Sequence, residues 1–191
     1  MTPCTQTISK GIALDCTKAM VAGYTGRAVY VPYSAAPTLT IDSNNPRVVK
    51  AITASSAVGI YTPFTQPFTG SSVAGNADNG RVMYQKNLAV LVPAHGAGNA
   101  KTTIEPLMKS AEGGLIIVER KDKAGDGSYV VLGLQDPVKV DPTSYSRDEE
   151  ANGGAAAMTF TCIEDYEECN FLDTDYATTK AAFDALFTAA L

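Results

Sequence analysis

The chain has 191 residues, of which 45% are hydrophobic and 18% are charged, a composition typical of globular rather than disordered proteins. This length suits a single domain that buries a core without covalent cross-links. The net charge of -5 and the scattered basic residues disfavour a nucleic-acid-binding face and an anionic membrane as a partner.

The first residues and the cysteines indicate where the chain is made. No apolar run approaches the about 20 residues of a membrane span, and the first six residues lack the basic start and apolar stretch of a secretory signal. We therefore expect no membrane partner and synthesis in a cytoplasm, with Cys4, Cys16, Cys162 and Cys169 as reduced thiols. Their spacings are not those of zinc-binding pairs, although a fold that joined the two ends could still gather four thiolates.

The first half of the chain is strand-like. Short β-branched or aromatic runs at 29–31, 39–41 and 48–53 are separated by proline and polar turn residues. Residues 62–80 have little periodicity and predict a long mobile loop. We expect its Phe64 and Phe68 to be exposed and to contact a neighbouring subunit, with a plain surface loop as the alternative.

A strand and a short helix are expected next. Residues 82–92 predict the strand. Thr102 or Thr103 is a suitable N-cap for the helix, Pro106 fits its first turn, and Gly113-Gly114 would end it after about three turns. An apolar stripe predicts that this helix lies on a sheet; the stripe consists of Ile104, Leu107, Met108 and Ala111.

The second half predicts a hairpin and a further strand. Residues 115–120 and 129–134 form the two arms of the hairpin, and Asp126-Gly127 lies in its turn. Residues 157–163 predict a strand with two distinct faces. Met158, Phe160 and Cys162 share one face, and Thr159 and Thr161 share the other.

An amphipathic helix is expected at the C-terminus, with Asp173 or Thr174 as its N-cap. We expect its apolar side to pack on the core of its own chain, with docking on a neighbouring subunit as the alternative. This side consists of Tyr176, Phe183, Leu186, Phe187 and Ala190. Many strands with one short internal helix and this C-terminal helix define a mainly β fold, a β-rich α+β class. Two antiparallel sheets packed as a sandwich or partly open barrel are predicted, with residues 1–191 as one domain.

Residues 88–102 run from a strand through a Gly-rich turn to Lys101-Thr102, the order of a phosphate-binding loop. His95 and Ala100, however, occupy the two positions that require glycine. His95 is the only histidine, and its place in a Gly-rich turn favours an exposed loop residue over a catalytic one. We therefore predict no enzyme and no catalytic, cofactor or metal site. A small hydrolase or nucleotide-binding enzyme is retained as an alternative.

Acidic residues concentrate after the 157–163 strand, at Glu164, Asp165, Glu167, Glu168, Asp173 and Asp175. They lack the Asp-x-Asp-x-Asp-Gly order of a calcium-binding loop. Two interpretations remain open: a solvated face, or a wall that repels polyanions.

The order of these features resembles a known family. A short helix ending in Gly-Gly (103–114) precedes an Asp-Gly hairpin (115–134), an acidic loop (148–154) and a Thr-rich strand with an acidic end (158–168). The first residues add a Lys-Gly-Ile-x-x-Asp-Cys core that ends at Cys16. The chain resembles the major tail tube proteins of tailed bacteriophages, especially those of phages and prophages of Bacteroides-type bacteria.

The resemblance implies a structural virion protein. It implies two antiparallel sheets packed nearly orthogonally and flanked by a helix, with copies joined edge to edge into a ring, hexameric by resemblance. Rings would stack into a tube, contact other tail proteins and let DNA pass without specific binding. The protein would be assembled in the bacterial cytoplasm and reside in the virion tail, and it would need no cofactor. The 62–80 loop would become ordered between stacked rings.

The resemblance also gives the acidic residues a role, because an acidic or neutral lumen lets DNA slide where a basic one would hold it. The candidate lumen-facing acids are Asp148, Glu149, Glu150, Glu164, Asp165 and Glu167. Two further interpretations remain: another tail or injection-system component with the same fold, and a monomeric β-sandwich module that binds a ligand through its loops.

Overall fold

The computed structural model describes residues 23–61, 68–76, 82–92, 104–122, 127–146 and 155–190. These residues form eleven strands, two α-helices and one 3-10 turn at Tyr33–Ala35. The strands are β1 (Tyr24–Pro32), β2 (Thr38–Ile41), β3 (Val48–Thr53), β4 (Val58–Tyr61), β5 (Phe68–Asn76), β6 (Val82–Val92), β7 (Gly114–Arg120), β8 (Tyr129–Leu132), β9 (Lys139–Ser146), β10 (Ala156–Glu164) and β11 (Cys169–Phe171). The helices are α1 (Glu105–Lys109) and α2 (Tyr176–Ala189).

The strands form two open sheets. A seven-stranded sheet has the order β2-β3-β11-β8-β7-β1-β4, and a four-stranded sheet has the order β5-β6-β10-β9. The predicted mainly β class, with two sheets, a short internal helix and a C-terminal helix, is confirmed. Strand pairing is antiparallel except between β3 and β11, which run parallel. Neither sheet closes into a barrel.

An apolar core lies on each face of the seven-stranded sheet. Ile116 and Val118 of β7 face the four-stranded sheet, where they share a core with Phe160 of β10. Leu115 and Ile117 belong to the other core, on the side that α2 covers. Because every second residue of a strand points to the same face, burial on both faces requires an unbroken apolar run such as 115–118.

Strand β10 is covered on one face only. Met158, Phe160 and Cys162 are buried between the sheets, whereas Thr159 and Thr161 are half-buried on the opposite face. The predicted alternation is therefore confirmed. The predicted strand at 82–92 and the hairpin of β7 and β8 are confirmed as well.

Helix α1 is shorter than the three turns predicted. It ends at Lys109, because Ser110 already has an extended backbone with ψ of 99°. The Gly113-Gly114 pair serves the following strand instead of ending the helix: Gly114 exchanges two backbone hydrogen bonds with Val138, at 3.0 and 2.8 Å. A Cβ on Gly114 would lie 2.4 Å from the Val31 carbonyl oxygen, so this close strand contact requires glycine. Thr102 and Thr103 lie outside the described residues.

Helix α2 begins one or two residues later than expected from Asp173 or Thr174 as its N-cap. Its N-cap is Asp175, whose carboxylate accepts a hydrogen bond from the Thr178 N–H at 2.8 Å. Asp173 and Thr174 therefore precede the cap, and the Asp173 N–H donates a hydrogen bond to the Thr179 hydroxyl at 2.9 Å. The predicted apolar side of the helix is confirmed, since its residues belong to or pack against the second core. Neither described helix has the length and apolar run needed to cross a bilayer.

The prediction of one loop over 62–80 is wrong for residues 68–76. They form β5, paired with β6 in unbroken register from Phe68↔Val90 to Asn76↔Val82. Phe68 is 4% exposed and belongs to the core between the sheets, so it is not the exposed contact that was predicted. Pairing with β6 satisfies the backbone hydrogen bonds of this segment, whose own sequence has no strand pattern. Phe64 and the remaining predicted loop positions lie outside the described residues.

Candidate assembly surface

Strand β5 is a long edge strand with no charged residue. It is nine residues long, with the sequence FTGSSVAGN, and residues 69–75 are all exposed. No second strand pairs with it among the described parts of the chain. Natural proteins usually protect such edges with charges, proline or irregular pairing, because an unpaired row of N–H and C=O groups is a template for another chain.

The three other sheet edges are short or irregular. Strands β2 and β4 have four residues each, and the Gly59 N–H of β4 donates to the Ala190 carbonyl at the end of α2, at 2.9 Å. Strand β9 contains Pro142, and its pairing with β10 shifts register between Ala157 and Thr159. Of the described edges, β5 therefore offers the longest regular backbone to a partner.

The outer face of the four-stranded sheet is free of charge over three strands. Of the residues in β5, β6 and β10, only Lys86 and Glu164 are charged, and both point into the core. The strand register places the following residues on the outer face: Thr69, Ser71, Val73, Gly75, Met83, Gln85, Asn87, Ala89, Leu91, Ala157, Thr159, Thr161 and Ile163. Charge enters this face only at β9, with Lys139 opposite Thr161 and Asp141 opposite Thr159.

Two exposed apolar side chains stand on this face. Val73 is 58% exposed and Ile163 is 47% exposed. Both are aligned with Gln85 in the strand register, so they occupy one row across the sheet. Isolated exposed apolar residues are common. These two, however, lie on the edge strand β5 and the inner strand β10 of one face, which no described element covers.

A buried ion pair lies on the inner side of the same sheet. The Lys86 ammonium hydrogen-bonds Oε2 of Glu164, and the two side chains are 3% and 0% exposed. Oε1 of Glu164 accepts from the backbone N–H groups of Leu134, at 2.6 Å, and Gln135, at 3.3 Å. Further hydrogen bonds of this kind are needed to offset the desolvation of a buried charge pair. The pair thereby connects β6 and β10 to the β8–β9 connection.

The predicted lumen-facing acids are divided by the structure. Glu164 is wrong as a lumen-facing acid, because it is fully buried and paired with Lys86. Asp165 is half-buried and Glu167 is exposed. Asp148, Glu149 and Glu150 lie outside the described residues.

The two described cysteines are free thiols in separate cores. Cys162 belongs to the core between the sheets and Cys169 to the core under α2. Burial, reinforced by the nearby Glu164 charge, raises the pKa of Cys162 to about 12 and that of Cys169 to about 11. Both are therefore protonated at neutral pH. Their prediction as reduced thiols is confirmed, while Cys4 and Cys16 lie outside the described residues.

A cleft with a volume of about 450 Å³ lies beside α1. It is lined by Tyr30, Pro32, Ser34, Val58, Pro106, Leu107, Ser110, Ala111 and Glu112. Burial raises the pKa of Tyr30, so its hydroxyl is neutral. In the described ranges no three His, Cys, Asp or Glu side chains are grouped closely enough to hold a metal ion.

The phosphate-loop pattern at 88–102 does not have the expected setting. Strand β6 runs antiparallel to both of its neighbours, β5 and β10. The strand before a phosphate-binding loop ordinarily lies in a parallel sheet with helices on its faces. His95, Ala100 and Lys101 lie outside the described residues.

Comparison with protein-family models, with curated proteins and with solved structures gave no match to this chain. The β5 edge and the uncharged sheet face are therefore the observations from which function is inferred.

Proposed function

We propose that this chain is a structural subunit that assembles with copies of itself through the β5 edge into rings stacked as a phage tail tube. The observation that carries the proposal is the nine-residue, uncharged edge strand, whose outward backbone groups have no partner among the described residues. An edge of this kind is completed most simply by a strand from a second copy. In a ring each copy both offers an edge and receives one, so no edge of the joined sheet is left over.

The partner of β5 in this proposal is β9 of the neighbouring copy. These strands are the two edges of the same four-stranded sheet. Joining them makes the sheet continuous around the ring, whereas joining β5 to β5 would make a closed pair of subunits.

The uncharged face of the four-stranded sheet lines the conduit in this proposal. Duplex DNA carries one negative charge per about 1.7 Å of its axis, and lysine or arginine side chains would retain it through its phosphates. The outer face of β5, β6 and β10 presents Thr, Ser, Asn, Gln, Gly and apolar residues instead. The wall is thus proposed to be mainly neutral, rather than acidic through Glu164. Asp148, Glu149, Glu150, Asp165 and Glu167 remain candidates for added negative charge.

The edge pairing is tested by cysteine cross-linking. Val73→Cys on β5 and Thr143→Cys on β9 are combined in one chain in which Cys4 and Cys16 are serine, and a short thiol-reactive linker is added. Cys162 and Cys169 are buried and do not compete. We expect a ladder of cross-linked multimers from the double variant, closed rings in negative-stain micrographs, and no cross-linked dimers from either single variant.

A matched control replaces Thr143→Cys with Ile41→Cys on the edge strand β2 of the other sheet. Ile41 is 38% exposed, so its thiol would be equally reachable, yet no ladder should form. Dimers from Val73→Cys alone would contradict the ring, because they require symmetric β5–β5 contact. A complete absence of cross-links at high protein concentration would contradict the edge itself. Rings that never stack would favour the alternative tail or injection-system component.

A further inference from the structure

The proposed assembly gives no role to the buried Lys86–Glu164 pair, in which the ammonium contacts a carboxylate that also accepts two backbone hydrogen bonds. We propose that Nζ of Lys86 and Cδ of Glu164 condense into an intramolecular amide, an isopeptide bond that joins β6 to β10. The ammonium contacts Oε2 directly, and the two side chains are 3% and 0% exposed. The residues are 78 apart in the chain, so the bond would close a large covalent loop.

The reaction requires the uncharged forms of both groups, and these form by transfer of one proton within the contact itself. Lys86 shares its face of β6 with Leu88 and lies opposite Cys162 of β10. The hydrogen bond between the ammonium and Oε2 is the path along which one proton passes from Nζ to the carboxylate. The transfer leaves a free amine beside a protonated carboxyl group, the pair required for amide formation.

The other carboxyl oxygen is held by two backbone donors. Oε1 accepts from the N–H groups of Leu134, at 2.6 Å, and Gln135, at 3.3 Å. When Nζ attacks Cδ, negative charge develops on the oxygen that does not leave. Donors already aimed at Oε1 stabilise that charge, as the N–H groups of an oxyanion hole do. The two oxygens therefore have different roles: Oε1 becomes the amide carbonyl and Oε2 leaves.

The reaction needs no other reactant. The Nζ–Cδ bond forms and the Cδ–Oε2 bond breaks. Oε2 departs as water with two of the three ammonium protons, and the third remains on the amide nitrogen. No atom is oxidised or reduced. Loss of water from a buried site, together with removal of two buried charges, favours the product.

A second close lysine–carboxylate pair in the same molecule serves as an internal control. Lys180 contacts Asp184 on α2, but these side chains are 43% and 35% exposed. Both groups of this pair keep their charge, because the contact raises the pKa of Lys180 and contacts with Lys180 and Arg27 outweigh burial to lower that of Asp184. Solvated and charged, this pair should not condense.

The test is mass spectrometry of the purified, denatured and reduced chain. We expect an intact mass lower than that of the sequence by one water molecule. Trypsin should fail to cleave after Lys86, leaving peptide 82–101 covalently linked to peptide 148–180, while cleavage after Lys180 proceeds. The Lys86→Arg variant should have the full mass. Succinimide formation at Asp126-Gly127 would give the same mass change, and the peptide map distinguishes the two.

The full mass and complete cleavage after Lys86 in wild-type protein, including protein incubated for days at raised temperature, would overturn the proposal. The wild-type peptide map decides this even if Lys86→Arg does not fold. The bond requires only the folded monomer, so its presence or absence leaves the cross-linking test of assembly unaffected.

Discussion

The two sheets of this protein differ in how their outer faces are treated. The central strands of the seven-stranded sheet are buried on both sides, as in β7, and every residue of β8 is buried. The four-stranded sheet is buried only on the side that faces its partner, with alternating exposure along β10. The chain thus covers one sheet with its own α2 and, within the described residues, leaves the outer face of the other open. Antiparallel sheets tolerate such one-sided exposure, which makes the open face available for assembly.

The cover over the seven-stranded sheet is firmly attached. The Arg27 guanidinium lies 5.1 Å from the ring centre of Phe183 and 4.8 Å from that of Phe187, and it also pairs with Asp184 of the same helix. The ring centres of Phe183 and Tyr129 are 4.8 Å apart. Aromatic, cationic and ionic contacts therefore all hold α2 against the sheet. No comparable set of contacts lies on the outer face of the four-stranded sheet in the described parts of the chain.

The largest expected effect comes from the same substitution made on the two outer faces. Ile117→Ala removes a fully buried side chain from under α2 and should lower the free energy of unfolding by about 2–5 kcal/mol. Ile163→Ala acts on a residue that is 47% exposed and should cost less than about 0.5 kcal/mol. Urea denaturation measures both. Equal losses would mean that the face at Ile163 is covered in solution.

A charge on the open edge should separate assembly from stability. Val73→Lys places an ammonium on β5, and we expect rings and multimers to disappear from size-exclusion chromatography and micrographs. Val82→Lys is the matched control, since Val82 is 51% exposed but starts the inner strand β6. Both variants should keep the free energy of unfolding within about 0.5 kcal/mol of wild type. Loss of assembly in both would point to general charge repulsion rather than edge pairing.

The smallest expected effect is at the start of the covering helix. The Thr178 N–H bonds the Asp175 carboxylate and lowers its pKa. Because this pKa is lower in the folded chain than in the unfolded chain, where it is about 3.9, the ionised carboxylate stabilises the fold at pH values above about 3.9. That stabilisation is lost as the pH falls through the lowered pKa of the folded chain. The Asp175→Ala variant should therefore have a slightly lower melting temperature than wild type at pH 7, and the difference should disappear below about pH 4. Asp175→Asn keeps an N-cap and should remove the pH dependence; a gap unchanged at low pH would contradict the assignment.

Periodicity made much of this fold predictable. Residues 82–92 and 157–163 alternate as half-covered strands do, and the apolar run at 115–118 is typical of a strand buried on both faces. Strand β5 escaped prediction because Ser71, Ser72 and the glycines around them carry no apolar alternation. Its strand character comes from pairing with β6, which is a tertiary effect. The predicted cap of α2 was misplaced because residues 173–175 all have side chains that suit an N-cap. Only the backbone angles identify Asp175 as the cap.

The buried pair carried a signal that was overlooked. Within the predicted strand at 82–92, Lys86 falls on the same parity as Leu88 and Val90, which face the core. Glu164 continues the parity of Phe160 and Cys162 one step beyond the predicted strand. A lysine and a glutamate that both occupy inward positions predict a buried pair once the two strands are known to be neighbours. That adjacency, however, is a long-range property that a single sequence does not give.

The parallel contact between β3 and β11 has a consequence for biosynthesis. Strands β2 and β3 join the rest of their sheet only through β11, which is near the end of the chain. An early hairpin must therefore wait until nearly all of the polypeptide has left the ribosome before it can be incorporated. In a chain released before β11 is made, the hairpin would stay detached from the sheet. Incomplete chains therefore cannot form the complete seven-stranded sheet.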